Sequence, residues 1–139
     1  MYRIETTDYG FRLSFDGFMK KPEMEQWLHD SQARLKSVPK SFGVLIDMRT
    51  LKPLPDDAKA VMEKGQALYK HAGMQRSCVV LNSATLTFQF KKIAQSSGIY
   101  SFERYLSAPD VPDWEKKAVA WVKSGADPDL VKEAVPSRG

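Results

Sequence analysis

Phe42-Gly-Val-Leu-Ile-Asp-Met48 is a nearly unbroken apolar run, and the proline-containing segment Arg49-Thr-Leu-Lys-Pro-Leu-Pro55 follows it directly. An apolar run of this length, closed by an acidic residue, is typical of a strand that is buried on both faces. Such strands lie in the middle of parallel sheets. The segment after it predicts a loop, with a helix opening at Asp56. The rest of the chain is therefore expected to be arranged around this strand.

Alternating apolar residues near the start of the chain predict a β-hairpin. Ile4 and Thr6 lie two residues apart in its first strand. A strict period of two marks its second strand, which contains Tyr9, Phe11, Leu13 and Phe15. Asp8-Tyr-Gly10 supplies the turn between them.

One helix is expected before the Phe42 strand in the chain and one after it. Helix one should run from about Pro22 to Ser37, because Pro39 forbids its continuation. At the start of helix two, Asp56 or Asp57 is expected to accept hydrogen bonds from free amide groups. Both carboxylates suit the positive end of the helix dipole, and Gly73 ends the helix.

The second half of the chain repeats this alternation. Ser77-Cys-Val-Val-Leu81 predicts another buried parallel strand. Asn82 or Ser83 should cap a third helix that ends at Gly98. A last strand, at about Tyr100 to Leu106, is expected at the sheet edge.

Charged residues in that last strand, Glu103 and Arg104, would discourage unwanted strand pairing. Asp110-Val-Pro-Asp113 then introduces a final helix with Trp114 and Trp121 on one face.

The predicted order is ββαβαβαβα, an α/β fold with a mixed, mostly parallel five-stranded sheet and four main helices. Crossovers between parallel strands are right-handed, so crossovers that all advance in one direction place their helices on one face. The other face of the buried strands would then be apolar. A terminal segment, a dimer partner or an apolar ligand is expected to cover it.

Composition indicates an ordinary globular protein. The chain has 139 residues, which suits one domain, with 42% hydrophobic and 27% charged residues. The start of the chain has no signal-peptide pattern and no apolar run spans a bilayer, so a cytoplasmic location without stable membrane insertion is expected. The single cysteine, Cys78, fits a reducing compartment.

The net charge of +4 does not indicate nucleic-acid binding. Acidic residues are interspersed along most of the chain, and the basic runs are only pairs, at Lys20-Lys21, Lys91-Lys92 and Lys116-Lys117. A solvated surface is the favoured interpretation.

The hairpin, the Phe42 strand that ends at Asp47, and the closing Trp114-Glu-Lys-Lys-Ala-Val-Ala-Trp-Val122 resemble the SpoIIAA-like proteins. These form a small bacterial group in the STAS superfamily (sulfate transporter and anti-sigma factor antagonist), whose fold is related to CRAL-TRIO lipid-transfer domains. The resemblance covers roughly residues 2 to 124. It implies a STAS-like domain at residues 1–124 and a C-terminal tail at 125–139, where Asp127 and Pro128 could start a short helix and Pro136 to Gly139 is frayed.

Anti-sigma factor antagonists are switched by phosphorylation of a serine at the start of the helix after the central strand. Asp56 and Asp57 occupy the equivalent positions here. Neither can be phosphorylated as serine is, so the switch is not carried over. An acidic helix start could mimic the modified state, but a plain helix cap is the favoured interpretation.

No catalytic or metal-binding constellation stands out in the sequence, and no cofactor, metal or enzymatic activity is predicted. His29 falls on the polar side of helix one, and His71 lies at a helix end that favours a cation. Cys78 lies in a buried strand, where a thiol behaves as a small apolar group.

Two functions are favoured over an enzyme, which is the third option. The first is a regulatory or protein-interaction module, whose partner surface lies at the carboxyl ends of the parallel strands. Its predicted partner-binding residues are Arg49, Thr50, Lys52, Asp56, Asp57, Ser83 and Thr85. The second is a carrier or sensor of small hydrophobic, lipid-like molecules. Its predicted ligand-binding residues are Leu51, Leu54, Met62 and Phe88, around a cavity beside the sheet. A homodimer through the uncovered sheet face or the final helix is also possible.

Overall fold

A computed structural model describes residues 1 to 130 and contains one five-stranded sheet. Its strands are β1 (Tyr2–Thr6), β2 (Gly10–Gly17), β3 (Phe42–Leu51), β4 (Met74–Leu81) and β5 (Glu103–Ser107). Its helices are α1 (Lys21–Arg34), α2 (Asp56–Ala72), α3 (Ala84–Ser97) and α4 (Trp114–Ser124), with short 3-10 turns at Leu35–Ser37 and Tyr100–Phe102.

The sheet has the spatial order β1-β2-β3-β4-β5, so the Phe42 strand lies in its middle. β1 and β2 are antiparallel, and the other neighbouring strands are parallel. The predicted α/β fold with a mixed, mostly parallel sheet is thereby confirmed.

One core lies between the sheet and α1, α2 and α3. It contains the inward side chains of the strands, such as Phe15 and Ile46, together with helical residues such as Trp27 and Tyr69. The Trp27 and Tyr69 rings are stacked with centroids 5.9 Å apart. Gly65 of α2 makes room for this stack, because a Cβ there would lie 2.2 Å from the Trp27 ring.

A second core lies on the opposite face of the sheet, under α4. Leu45, Cys78 and Val80 of the sheet pack there against Trp121 and Val122 of the helix. The indole Nε1–H of Trp121 donates a hydrogen bond to the Ser77 carbonyl oxygen at 2.9 Å. Of the three predicted covers for this face, the terminal segment is the one observed.

Coverage by α4 corrects the expectation of an open apolar face. The strand residues left uncovered by α4 lie mainly on β1 and β2 and are polar, among them Arg3, Glu5 and Ser14. The apolar part of the face is thus closed within the chain. It gives no reason to expect a second copy or an apolar ligand there.

Several element ends and one helix cap differ from the sequence prediction. β4 begins at Met74 rather than Ser77, and β5 begins at Glu103, after a 3-10 turn, rather than at about Tyr100. β3 continues to Leu51, because Thr50 and Leu51 still pair with β2 after a register shift, so Arg49 and Thr50 lie in the strand rather than in a loop. α1 ends at Arg34 and tightens into the first 3-10 turn. At the start of α2 the cap position is Pro55, and Asp56 and Asp57 make no capping hydrogen bond there.

The end of the described chain stays close to the sheet. The guanidinium of Arg104 on β5 forms two hydrogen bonds with the Asp127 carboxylate, at 3.0 and 2.9 Å. Residues 128 to 130 are helical, where a short helix was expected. The segment from Pro136 to Gly139 lies outside the described residues.

Candidate functional site

The seven predicted partner-binding residues do not form one surface. Arg49 and Thr50 line a groove on the α4 side of the sheet. Asp56 and Thr85 line a different groove, between α2 and α3, and Ser83 lines a third at the ends of β4 and β5. Lys52 and Asp57 are exposed outside these grooves.

Phe88 of α3 lies between the second and third grooves and lines both of them. Its side chain is 64% exposed, whereas Leu86 and Phe90 on either side of it are buried. The grooves have volumes of about 560 and 500 Å³. We call this region the Phe88 surface; its residues are Asp56, Lys59, Ser83, Thr85, Phe88, Lys91, Lys92 and Asp110.

The helix that carries Phe88 is firmly held. Ser83 is the predicted N-cap, and its hydroxyl accepts a hydrogen bond from the Leu86 amide at 3.0 Å. One turn further on, the Gln89 side chain accepts from the Leu54 amide and donates to the Leu54 carbonyl, both at 2.9 Å. Phe88 is therefore presented to solvent from a helix fixed at its start and tied to the neighbouring loop.

Polar and charged side chains surround Phe88. The ammonium group of Lys92 lies 5.2 Å from the centre of its ring. Asp56 and Lys59 form an ion pair at 3.0 Å on the α2 side of the groove. An aromatic residue within a polar rim is the usual composition of a protein-binding surface.

The groove on the α4 side of the sheet is built from charges that pair with one another. We call it the sheet-face groove; it has a volume of about 500 Å³. Arg49 donates to both carboxylate oxygens of Asp47, at 3.0 and 2.9 Å. Arg12 lies 2.8 Å from Glu115 and 3.7 Å from Asp47.

These contacts fix the charge state of Asp47. Burial alone would raise the pKa of this carboxyl, but hydrogen bonds from Arg49 and the charge of Arg12 outweigh it. The pKa of Asp47 therefore lies below its usual range. The Arg49 guanidinium also stacks on Trp114 of α4, 4.4 Å from the ring centre. This network fastens α4 to the sheet, and its arginines already have partners.

The predicted ligand-binding residues do not share a cavity. Leu51, Leu54 and Met62 are buried in the core, while Phe88 points away from it. The gap between the sheet and α1 and α2 has a volume of about 30 Å³, which is close to that of one water molecule. Known small-molecule sites are about ten times larger.

Glu103 is the carboxyl with the most unusual environment. It is only 3% exposed, and it accepts hydrogen bonds from Ser77 at 2.9 Å and from Tyr105 at 2.6 Å. Burial raises its pKa to about 7. The prediction that Glu103 protects an exposed edge is wrong, since its side chain points into the helix-covered core.

The other candidate reactive groups are dispersed. His29 and His71 are exposed at separate places, and burial raises the pKa of the Cys78 thiol well above its usual range. Among residues 1 to 130, no three His, Cys, Asp or Glu side chains are close enough together to hold a metal ion. Within the same range, no helix has the length and apolar character needed to cross a membrane.

The three lysine pairs do not share one face. Lys91-Lys92 lies on α3 and Lys116-Lys117 on α4, which pack on opposite sides of the sheet. Lys20-Lys21 lies at the start of α1.

Comparison with known proteins gives no relative from which a role could be transferred: no protein-family model matches the chain, and no curated protein sequence is significantly similar to it.

Proposed function

We propose that this chain is a non-enzymatic, STAS-like interaction module that acts in the cytoplasm and binds a protein partner through the Phe88 surface. The observation that carries the proposal is the exposed Phe88 ring, held on a fixed helix between two grooves. When a partner removes a large apolar side chain in such a position from water, the complex is stabilised.

The charges around Phe88 support a protein as its partner. The two grooves beside the ring are lined by Lys59, Lys91 and Lys92 and by Asp56, Glu63 and Asp110, so both signs of charge are available at the rim. Rim charges of this kind orient a partner and set its rate of association, whereas the central aromatic contributes most of the affinity.

The surroundings of the titratable groups support a non-enzymatic role. Asp47 is saturated by arginine contacts, Glu103 and Cys78 are buried, and the histidines are far from either groove. The proposal of a STAS-like module also rests on the resemblance of the sequence to the SpoIIAA-like proteins.

Parallel pull-downs with three full-length baits test the proposal: the wild type, Phe88→Ser and Phe18→Ser. Phe18 is also exposed but lies outside the Phe88 surface, so its variant is the matched control. We expect a protein that the wild type and Phe18→Ser retain and that Phe88→Ser loses. With that protein purified, Phe88→Ser should weaken binding by roughly thirtyfold, the effect of a central hot spot worth about 2 kcal/mol.

Charge reversal at Asp56, a rim carboxylate of the Phe88 surface, should change the rate of association with the same protein and leave its dissociation rate nearly unchanged, whereas charge reversal at Asp57, outside the grooves, should change the association rate less. Thermal unfolding of each bait checks that the folded state is intact. Retention of the same proteins, in the same amounts, by the wild type and by Phe88→Ser would contradict the proposal.

A further inference from the structure

Phe18 is the most exposed aromatic side chain described in the structure, at 75%, and it is held in a fixed position. It follows Gly17, the last residue of β2, whose positive φ of 72° turns the chain outward. The next residue, Met19, is only 1% exposed and anchors the segment in the core. Phe18 therefore projects from a turn that is fastened on both sides.

Three lysines belong to the chain segments that meet at this turn. Lys20 and Lys21 follow it in the chain, and the Lys52 amide donates a hydrogen bond to the Gly17 carbonyl at 3.0 Å, which places Lys52 beside the same turn. All three are exposed, and their ammonium groups form no ion pair within residues 1 to 130. We call Phe18, Lys20, Lys21 and Lys52 the Phe18 tip.

Two acidic groups close to the tip in the chain are already paired. Glu23 pairs with the terminal amine of Met1 at 2.9 Å, and Asp56 pairs with Lys59 at 3.0 Å. Asp16 lines the sheet-face groove, on the α4 side of the sheet. Asp57 and Glu25, which follows Lys21 by one turn of α1, are the remaining exposed carboxylates, so the three exposed lysines outnumber them.

We propose that the Phe18 tip docks reversibly on a membrane surface that contains anionic lipid. Phe18 enters the boundary between headgroups and acyl chains, while the lysines lie against the lipid phosphates. A planar surface suits the shape of the tip, because none of the three surface grooves described above is lined by its residues. One aromatic ring and three lysines predict weak binding that salt reverses.

This inference goes beyond the proposed function and rests on different residues. The Phe88 surface and the Phe18 tip share no residue. The pull-down can therefore contradict the proposed protein binding without contradicting membrane docking, and the vesicle experiment can contradict membrane docking without contradicting protein binding.

Co-sedimentation of the full chain with lipid vesicles tests the inference. The probes are vesicles of phosphatidylcholine alone and vesicles of phosphatidylcholine mixed with phosphatidylserine. We expect the wild type to sediment with the mixed vesicles at low salt, and to be released at high salt. It should stay in solution with neutral vesicles.

The variants are Phe18→Ala and the triple variant Lys20→Gln, Lys21→Gln, Lys52→Gln. Phe18→Ala should weaken the vesicle partition coefficient roughly tenfold, since one partly buried ring is lost. The triple variant should weaken it roughly fivefold for each lysine removed. Two controls should bind like the wild type: Phe88→Ala, and the triple variant Lys36→Gln, Lys40→Gln, Lys64→Gln, which removes the same charge elsewhere.

Three results would overturn the inference: no sedimentation of the wild type with anionic vesicles at low salt, equal sedimentation of both triple variants, or wild-type partition by Phe18→Ala. Binding of a polyglutamate peptide instead of vesicles, lost in the tip variants, would assign the tip to an acidic protein segment and would also overturn it.

Discussion

Glu103 shows how one buried carboxyl can make folding depend on pH. Its pKa is raised from an ordinary 4.5 to about 7 because burial penalises the charged form, although Ser77 and Tyr105 donate hydrogen bonds to it. In the unfolded chain the carboxyl ionises near its ordinary value. Between about pH 4.5 and about pH 7 the folded state therefore binds more protons than the unfolded state.

The contribution of Glu103 to the free energy of unfolding should therefore be largest below about pH 4.5 and should fall as the pH rises to about 7. The loss corresponds to about 3 kcal/mol for the full difference in pKa. Glu103→Gln removes the ionisation and should be more stable than the wild type at pH 8, with a smaller difference at pH 5. Urea unfolding at both pH values measures this.

The difference between the two proteins isolates Glu103 from the groups whose pKa is lowered, such as Asp47, which affect stability at lower pH. Glu25→Gln, an exposed substitution of the same kind, is the control. Parallel pH profiles for the wild type and Glu103→Gln would contradict the assignment.

Individual residues were the hardest to predict from the sequence. Phe88 falls off the apolar stripe of α3, as its exposure requires, whereas the sequence prediction places it in an apolar ligand site together with Met62, which is buried. Glu103 gave no usable signal, because strand β5 lacks clear alternation and an acidic residue near an edge is usually solvated. The Asp47 network is formed by residues far apart in the chain, Arg12, Arg49 and Glu115, so only the fold brings it together.

At the scale of elements, α3 depends on its first turn. The Ser83 hydroxyl satisfies one of the amide groups that have no partner inside the helix. Ser83→Ala should lower the free energy of unfolding by about 1 kcal/mol. Chemical unfolding checks this, with Thr85→Ala as the control because Thr85 is exposed in the same turn.

Amide exchange should also become faster in the first turn of α3. Equal stability of Ser83→Ala and Thr85→Ala would contradict the role of Ser83 as cap.

The sequence predicted which elements exist better than where they end. Apolar runs identified β3 and β4, and helical spacing identified all four main helices. The extension of β3 to Leu51 depends on pairing with β2, which no local pattern records. Asp56 and Asp57 suit the helix dipole as expected, but Pro55 takes the cap position, so their side chains remain free of that contact.

At the scale of the whole molecule, α4 closes the second face of the sheet. Gly43 of β3 permits this, since a Cβ there would lie 2.4 Å from the Val122 carbonyl oxygen. A backbone atom cannot yield as a flexible side chain would.

Gly43→Ala should therefore separate α4 from the sheet and lower the free energy of unfolding by about 2 kcal/mol. Urea unfolding and amide exchange of α4 measure the two effects. Ser14→Ala, on the same sheet face beyond α4, should change neither. Wild-type stability of Gly43→Ala would show that α4 is not tightly packed there.

The one-sided arrangement of α1 to α3 follows from right-handed crossovers, so it could be predicted from the order of elements. What covers the opposite face could not be predicted from that order. A terminal helix, a second copy or an apolar ligand would each bury the same apolar strand residues. The structure shows that the helix does so, because Trp121 and Val122 pack on Leu45 and Val80.

Site-specific photo-cross-linking in cells tests most directly whether the Phe88 surface binds a protein partner. A photoreactive phenylalanine analogue is placed at position 88 of the full chain, and at position 18 as the control, since Phe18 is an exposed phenylalanine outside the Phe88 surface. The proposal predicts a discrete protein adduct from position 88 that position 18 does not give. Identical adducts from both positions, or no protein adduct from position 88, would contradict it.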